Sequence, residues 1–304
     1  MKLPEFFFGA APIGGLYSAV SDDEASATLT AAWQSGVRAF DTAPHYGVGL
    51  SERRIGDFLA GRPRQEFVVS TKVGRRLVPA DGDVQGADGF YGTPALTRVR
   101  DYSRGGVRAT LEDSLRRLRL DRVDIALVHD PDDYLDEAVS SALPALAKLR
   151  DEGLVGMIGA GMNSASALAW LVERADVDCV LVAGRYTLLD QSAASSLFPL
   201  CQQRGVRVLA GGVFNSGILA DPDGKARFDY APASQQVRER VADLRYGCEK
   251  YGVPVAAAAL RFTLRHPAVT SVVVGARTPA EITADVGYLD VAVPDELFDE
   301  LTPF

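Results

Sequence analysis

A carboxylate, a phenol, an amine and an imidazole stand at or just beyond the ends of three apolar runs in this 304-residue chain. Asp41 closes the run Ala39 to Thr42, and Tyr46 follows on the glycine-flanked loop Thr42-Ala43-Pro44-His45-Tyr46-Gly47. Lys72 ends Val68-Val69-Ser70-Thr71-Lys72, and His129 ends Ile125-Ala126-Leu127-Val128-His129. Taken singly, most have a plain explanation: Asp41 as a loop cap, Tyr46 as amphipathic surface, His129 as a hydrogen-bonded core residue. Lys72 is harder to dismiss. A lysine at the end of an apolar strand is rarely buried without a partner, and Asp41 on the neighbouring strand supplies the opposite charge.

Together the four form acid–base equipment for a carbonyl or an alcohol. A phenol with an ordinary pKa of about 10 accepts a proton poorly at neutral pH unless positive charge nearby favours phenolate, and Lys72 provides that charge. Asp41 would hold the lysine and limit its pKa loss on burial, while His129 would orient a substrate oxygen or relay a proton. The set contains no hydride source, so redox chemistry here requires a cofactor.

The elements that must position these groups alternate. Runs rich in Val, Ile, Phe and Ala at Phe6 to Ala10, Ala39 to Thr42, Phe67 to Lys72, Val123 to His129, Val155 to Ala160, Cys179 to Val182, Val206 to Ala210 and Ser271 to Val274 make eight strand candidates. They lack strict polar alternation, as parallel strands buried on both faces do. With helical segments between them, the chain reads as α/β, a (β/α)8 TIM barrel in a single domain over residues 1–304. Strand ends of such a barrel converge on one face, so the four groups should meet.

Ser21-Asp22-Asp23-Glu24 has the pattern of a capping box ahead of Leu29, Ala32 and Trp33. After Arg104-Gly105-Gly106, Val107, Leu111, Leu115 and Leu118 share one helical face. Pro144 should kink or split the helix over Leu135 to Arg150, and Pro254 should start a further helix through Leu264. Trp33 and Trp170 read as helix core. Residues 75–106 break the alternation, being long, aperiodic and glycine-rich, and read as a loop over the active face. Residues 211–232 read as a second such loop. Strand one begins near Phe6, which leaves little chain for a hairpin closing the barrel bottom, so one segment or a partner should close it.

Composition narrows the partner. A net charge of -8 argues against broad nucleic-acid binding. No apolar run approaches the roughly 20 residues that span a bilayer. The start lacks a secretory pattern, and Cys179, Cys201 and Cys248 lack metal-ligand spacing, so reduced thiols in the cytoplasm and a small-molecule ligand are expected, with no metal.

Asp41-Thr42-Ala43-x-x-Tyr46-Gly47, Gly49-x-Ser51-Glu52, Lys72 and His129 resemble, in order, the catalytic Asp, Tyr, Lys and His and the adjoining loop–helix motif of the aldo-keto reductase family. The resemblance spans nearly the whole chain. It implies a nicotinamide cofactor extended across the barrel mouth, hydride exchange with a substrate carbon, and proton handling by Tyr46. Asp101-Tyr102-Ser103-Arg104, His129-Asp130-Pro131-Asp132-Asp133, Tyr186-Thr187-Leu188-Leu189-Asp190-Gln191 and Phe214-Asn215-Ser216-Gly217-Ile218-Leu219 look like the branch containing L-fucose or D-threo-aldose 1-dehydrogenases and pyridoxal 4-dehydrogenase. That branch mostly oxidises, and the implied reaction turns a cyclic hemiacetal into a lactone with formation of NADH.

Gly9-Ala10-Ala11-Pro12-Ile13-Gly14-Gly15 has the wrong spacing for a Rossmann fingerprint. Nucleotide binding instead falls to residues 275–288, where Gly275-Ala276-Arg277-Thr278-Pro279-Ala280-Glu281 opens a helix with Thr278 as its N-cap. Family members that prefer NADP often have basic residues there. Gly275 stands for a frequent lysine and Glu281 for a common arginine, so NAD is expected over NADP, with Arg277 able to reach a phosphate or stack on adenine. Gly161-Met162 stands where the family has Ser-Asn for the nicotinamide amide, leaving Asn163 as the candidate. Gly211 stands for a stacking aromatic, leaving Phe214, and Ser216 and Gly217 are candidates for the pyrophosphate loop. Tyr17, His45, Tyr91, Tyr102 and Asp130 are candidate substrate contacts.

The leading expectation is oxidation of an aldose hemiacetal of the L-fucose or D-arabinose type at C1. Pyridoxal, which also forms a cyclic hemiacetal, is the nearest rival substrate. A nicotinamide-binding regulatory protein with low turnover is the alternative from a different class, and a homo-oligomer fits either.

Overall fold

The computed structural model describes residues 2–221 and 227–301. All eight expected strands form. They are β1 (Phe6–Gly9), β2 (Ala39–Asp41) and β3 (Val68–Val73), then, after a hairpin of β4 (Arg75–Pro79) and β5 (Leu96–Arg100), β6 (Val123–His129), β7 (Val155–Met162), β8 (Cys179–Ala183) and β9 (Arg207–Gly211). A short ribbon, β10 (Arg227–Phe228) and β11 (Ala231–Pro232), precedes the last barrel strand, β12 (Val269–Gly275). The parallel barrel closes in the order β1-β12-β9-β8-β7-β6-β3-β2. It is one (β/α)8 barrel, with helices between its strands.

Period two along each strand separates two cores. Phe7, Ala39, Ile125, Leu127, Leu181 and Leu209 pack together inside the barrel. Their strand neighbours, such as Phe8, Phe40, Ala126 and Val128, pack outward against the helices. Asp41 has the inward parity of Ala39, and His129 that of Ile125 and Leu127. The chemistry-bearing groups therefore continue the interior column where the apolar side chains stop.

The helices begin as their caps dictate. In α1 (Asp22–Gln34) the Glu24 N–H donates to Ser21 Oγ and the Ser21 N–H donates to Glu24 Oε2. Trp33 lies half-buried against the outer core. Next come α2 (Leu50–Leu59) and α3 (Arg104–Leu118). The latter starts earlier than its apolar face suggested: Ser103 caps it, and the two glycines lie inside its first turn. A Cβ on Gly106 would meet the Asp101 carboxylate at 2.1 Å, so the turn needs glycine there. Between α4 (Leu135–Glu137) and α5 (Leu143–Asp151) runs a π-helical turn, Ala138–Ala142, just before Pro144. A proline without an N–H accounts for such a widening. The remaining helices are α6 (Ala165–Arg174), α7 (Ala193–Arg204), α8 (Gln235–Lys250), α9 (Val255–Arg265), α10 (Pro279–Gly287) and α11 (Asp295–Leu301). Pro254 is the N-cap of α9.

Residues 75–106 are not the structureless loop that their composition suggested. β4 and β5 pair antiparallel from Arg75 opposite Arg100 to Pro79 opposite Leu96. Within 211–232, β10 and β11 pair through a tight turn at Asp229 and Tyr230, both with positive φ. Residues 222–226 of that stretch lie outside the described residues. No hairpin precedes β1 among the described residues; instead Leu3, 5% exposed, inserts into the interior core and closes the barrel bottom. Cys179, Cys201 and Cys248 are buried and free. No helix among the described residues is long and apolar enough to cross a membrane.

Candidate active site

Lys72 and Asp41 form a buried ion pair, 2% exposed each, with Nζ 2.7 Å from Asp41 Oδ2. The ammonium also donates to the Thr42 carbonyl at 2.9 Å, and Ser70 Oγ donates to the other Asp41 oxygen at 2.8 Å. Both carboxylate oxygens are thus occupied, as a buried charge requires. Lys72 Nζ lies 4.7 Å from the centre of the Tyr46 ring. The His129 ring stands edge-on to Tyr46, with centroids 5.9 Å apart and planes at 89°. The four groups meet.

Burial pushes the Tyr46 phenol up to about 12, with Asp41 adding to the rise while Lys72 works against it. The expectation that Lys72 would tip the phenol toward phenolate is therefore outweighed by desolvation in the protein alone. Burial also opposes the charge on Lys72, yet Asp41 and Tyr46 beside it hold the ammonium above its ordinary value. His129 is held well below the usual imidazole range by burial, with Arg75 and Lys72 adding repulsion. His45 is lowered to about 2 for the same kinds of reason, with Arg75, Arg98 and Lys72 as its neighbours. Both imidazoles are neutral near pH 7.

A cavity of about 530 Å³ opens beside Tyr46, lined on one side by barrel strand ends and on the other by the β4–β5 hairpin. Of the candidate substrate contacts, Tyr17, His45, Tyr91 and Asp130 line it. Tyr102 does not. It is 1% exposed, and its hydroxyl donates to the carbonyls of His129 (2.8 Å) and Asp130 (2.9 Å). Its ring fills the space that a side chain at Gly74 would occupy, since a Cβ there would meet it at 2.3 Å. Tyr102 therefore braces the end of β6 from outside the cavity. Sequence reasoning missed Arg75, whose guanidinium donates to Asp130 Oδ2 at 2.5 Å, and Arg98, which donates to the His45 carbonyl at 2.8 Å and pairs with Asp88 at 3.1 Å. Phe90, one of the aromatics of the long loop, stacks 6.2 Å from Tyr46, a contact that its sequence position did not show. Arg75, three residues past Lys72 on the same strand exit, was the one with a readable signal.

A second cavity, about 510 Å³, runs from the same centre toward α10. Tyr46, Asn163, Tyr17 and Tyr230 line both, so the two spaces join at the phenol. Phe214, Ser216, Gly217, Gly275, Arg277 and Glu281 line the second cavity. Ala276 and Thr278 do not: Ala276 is fully buried, and the Thr278 hydroxyl is spent capping α10 by accepting from the Glu281 N–H at 3.2 Å. The Arg277 guanidinium reaches across to the Leu16 carbonyl and to Ser18, so the protein itself already holds it. Glu281 Oε2 accepts from the Arg277 N–H at 2.8 Å. Asp285, one helical turn on, was missed; it is 6% exposed, and burial and Glu281 raise its carboxyl to about 7. Its spacing of four from Glu281 places it on the same helical face.

Among the described residues six glycines lie along this cavity, Gly217 has open space where a Cβ would sit, and Glu281 and Asp285 line it from α10.

The profile of the Aldo/keto reductase family matches residues 5–303. A D-threo-aldose 1-dehydrogenase of a Pseudomonas species is 44% identical over 99% of this chain and 94% of its own length. A pyridoxal 4-dehydrogenase of Microbacterium luteolum is 40% identical over 96% of this chain and 91% of its own. Among solved structures, a glycerol dehydrogenase from Gluconobacter oxydans superposes with a TM-score of 0.80 at 25% identity, covering 98% of this chain and 90% of that one.

Proposed function

The chain belongs to the aldo/keto reductase family, and from that premise we propose that it oxidises a cyclic aldose hemiacetal at C1 to the lactone, with NAD as hydride acceptor. The observation that carries this reading is the meeting of Tyr46, the Lys72–Asp41 pair and His129 where the two cavities join. Enzymes of this family use nicotinamide cofactors. Gly217, Gly275, Ser216 and Phe214 would hold the dinucleotide, with Asn163 near the reacting end and Glu281 and Asp285 at the other. Bound there, NAD supplies a carbon that accepts hydride.

The chain's own residues manage the proton. Tyr46 Oη takes the proton of the C1 hydroxyl, whose oxygen becomes the lactone carbonyl oxygen as the C1 hydrogen is given up to the acceptor that NAD would supply. Lys72 stays charged and stabilises the phenolate that must form first, and Asp41 keeps Lys72 in place. Neutral His129 hydrogen-bonds the C1 oxygen without competing for its proton. For the nucleotide, Glu281, joined by Asp285 as that carboxyl ionises above about pH 7, favours the free ribose hydroxyls of NAD and repels the added phosphate of NADP.

The pyridoxal enzyme at 40% identity favours a second reading, in which the hemiacetal is that of pyridoxal and the product is 4-pyridoxolactone. Both use the same groups, and the wall opposite Tyr46 must tell them apart. Absorbance of NADH formed from NAD, with NADP in parallel, separates them when L-fucose, D-arabinose, L-galactose and pyridoxal are each supplied at mildly alkaline pH. NADH from a sugar is expected. NADH from pyridoxal alone overturns the sugar assignment, and tight NAD binding without turnover of any compound turns the protein into a regulatory binder.

A further inference from the structure

We propose that Arg75 and Asp130 form a clamp for a vicinal diol, so that the site selects a ring whose C2 and C3 hydroxyls lie against this pair. The inference rests on the C1-oxidation reading and names the part of the substrate that the wall opposite Tyr46 recognises. A hydroxyl both donates and accepts, so two adjacent hydroxyls are complemented by a carboxylate and a guanidinium side by side. Arg75 and Asp130 stand in that relation, 2.5 Å apart, and both line the cavity that holds Tyr46.

Their remaining hydrogen-bonding capacity points the same way. Among the described residues nothing in the protein donates to Asp130 Oδ1, while Oδ2 takes Arg75 and lies 3.6 Å from His129 Nε2. The carboxylate thus sits next to the group that holds the C1 oxygen, where the hydroxyl of the neighbouring carbon would fall. One nitrogen of the Arg75 fork is engaged by Asp130 and the other faces His45 Nδ1 at 3.2 Å, which leaves each terminal nitrogen a further hydrogen to donate. The buried Arg75 Nε has no partner.

The backbone holds the pair rigidly. Asp130 has φ 41°, in the left-handed region that aspartate enters more readily than most residues with a side chain, and its backbone is held there at both polar groups. Its N–H donates to the Gly161 carbonyl at 3.0 Å and its carbonyl accepts from Tyr102 at 2.9 Å. The hairpin base that carries Arg75 is tied by the Asp101 N–H to the Gly74 carbonyl at 3.0 Å.

Of the cations at the cavity, Lys72 and Arg75 are each matched by a carboxylate, Asp41 and Asp130, and Arg227 lies over the Tyr17 ring at 4.7 Å.

The test uses 1,5-anhydro-L-fucitol, which lacks the reacting C1 hydroxyl, together with its 2-deoxy and 3-deoxy counterparts, titrated by ligand-observed NMR against the full chain with NAD present. Because binding is read without turnover, failure of the C1-oxidation reading shows separately as absence of NADH from the free sugars. Wild-type protein is expected to bind the parent compound about 10- to 100-fold more tightly than either deoxy form, the range for hydrogen bonds to charged groups. In Asp130→Asn and in Arg75→Lys, which keep size or charge but spoil the pairing geometry, that preference should shrink to a few-fold in protein whose melting curve remains cooperative. Equal binding of the three compounds by wild type, no saturable binding of the parent, or full preference retained in Asp130→Asn overturns the clamp. The wild-type comparison stands alone if either variant fails to fold.

Discussion

The two cavities that meet at Tyr46 are built on opposite plans. The first cavity is walled in good part by charged and aromatic side chains fixed against one another: Lys72 on Asp41, Arg75 on Asp130, Phe90 on Tyr46. The second cavity has more glycine and loop backbone along it, at Gly9, Gly184, Gly211, Gly212, Gly217 and Gly275, and its carboxyl groups are spread from Asp41 beside Tyr46 to Glu281 and Asp285 on α10. The first plan places charge for a reaction, and the second leaves backbone groups and room for a long flexible ligand. Damage to one should therefore appear in turnover, and damage to the other in cofactor choice.

The largest expected effect breaks the reacting centre alone. Tyr46→Phe should lower kcat by about 10³-fold while NADH affinity, followed by fluorescence of the reduced nicotinamide, stays within a few-fold. A parallel collapse of cofactor affinity would mean that the two plans are not separable at the phenol.

Next comes pH. With the phenol pushed up to about 12, the unprotonated form that accepts the C1 proton grows about tenfold per pH unit below that value, so kcat/KM for oxidation should rise about 100-fold between pH 7 and 9. His45, lowered to about 2, and His129, well below the usual range, are already neutral there and add no inflection near 6.5. A break near 6.5 that persists in Asp285→Asn, which removes the carboxyl raised to about 7, would assign an imidazole the proton-accepting role.

The smallest effect concerns the other plan. Glu281→Arg removes one of the two carboxyl groups on α10 and should raise the NADP-to-NAD ratio of kcat/KM about tenfold, with little change in turnover at saturating NAD. An unchanged ratio would show that the cofactor's added phosphate does not lie near α10.

The same division governs what was legible before the structure. Barrel strands announce themselves as apolar runs because both of their faces are buried, and Asp41, Lys72 and His129 stand out as ionisable groups closing such runs. The β4–β5 hairpin was hidden because Arg75-Arg76-Leu77-Val78-Pro79 and Leu96-Thr97-Arg98-Val99-Arg100 lie half in water and show no clean alternation. The place of Arg75, three residues past Lys72, was readable, but its pairing was not, because its partner, Asp130, lies 55 positions away and only the folded barrel brings them together. Tyr102 misled for the converse reason: a tyrosine beside a glycine-rich stretch looked available to a ligand, but Gly74 leaves a gap that its ring fills. On the nucleotide side, helix starts are common, so Ala276 and Thr278 could not be told from the residues that line the cavity.

The hairpin leaves the barrel after Gly74 and returns at Asp101, and the hydrogen bond between these two residues makes its entry and exit a single point. None of its strands belongs to the closed barrel. Asp41, Tyr46, Lys72 and His129 lie outside this excursion, whereas Arg75, Phe90 and Tyr91 lie within it and line the first cavity. The segment from Arg75 to Arg100 is accordingly a detachable half-wall: it meets the barrel at one joint, and the half it faces, with Asp130, stays with the strands.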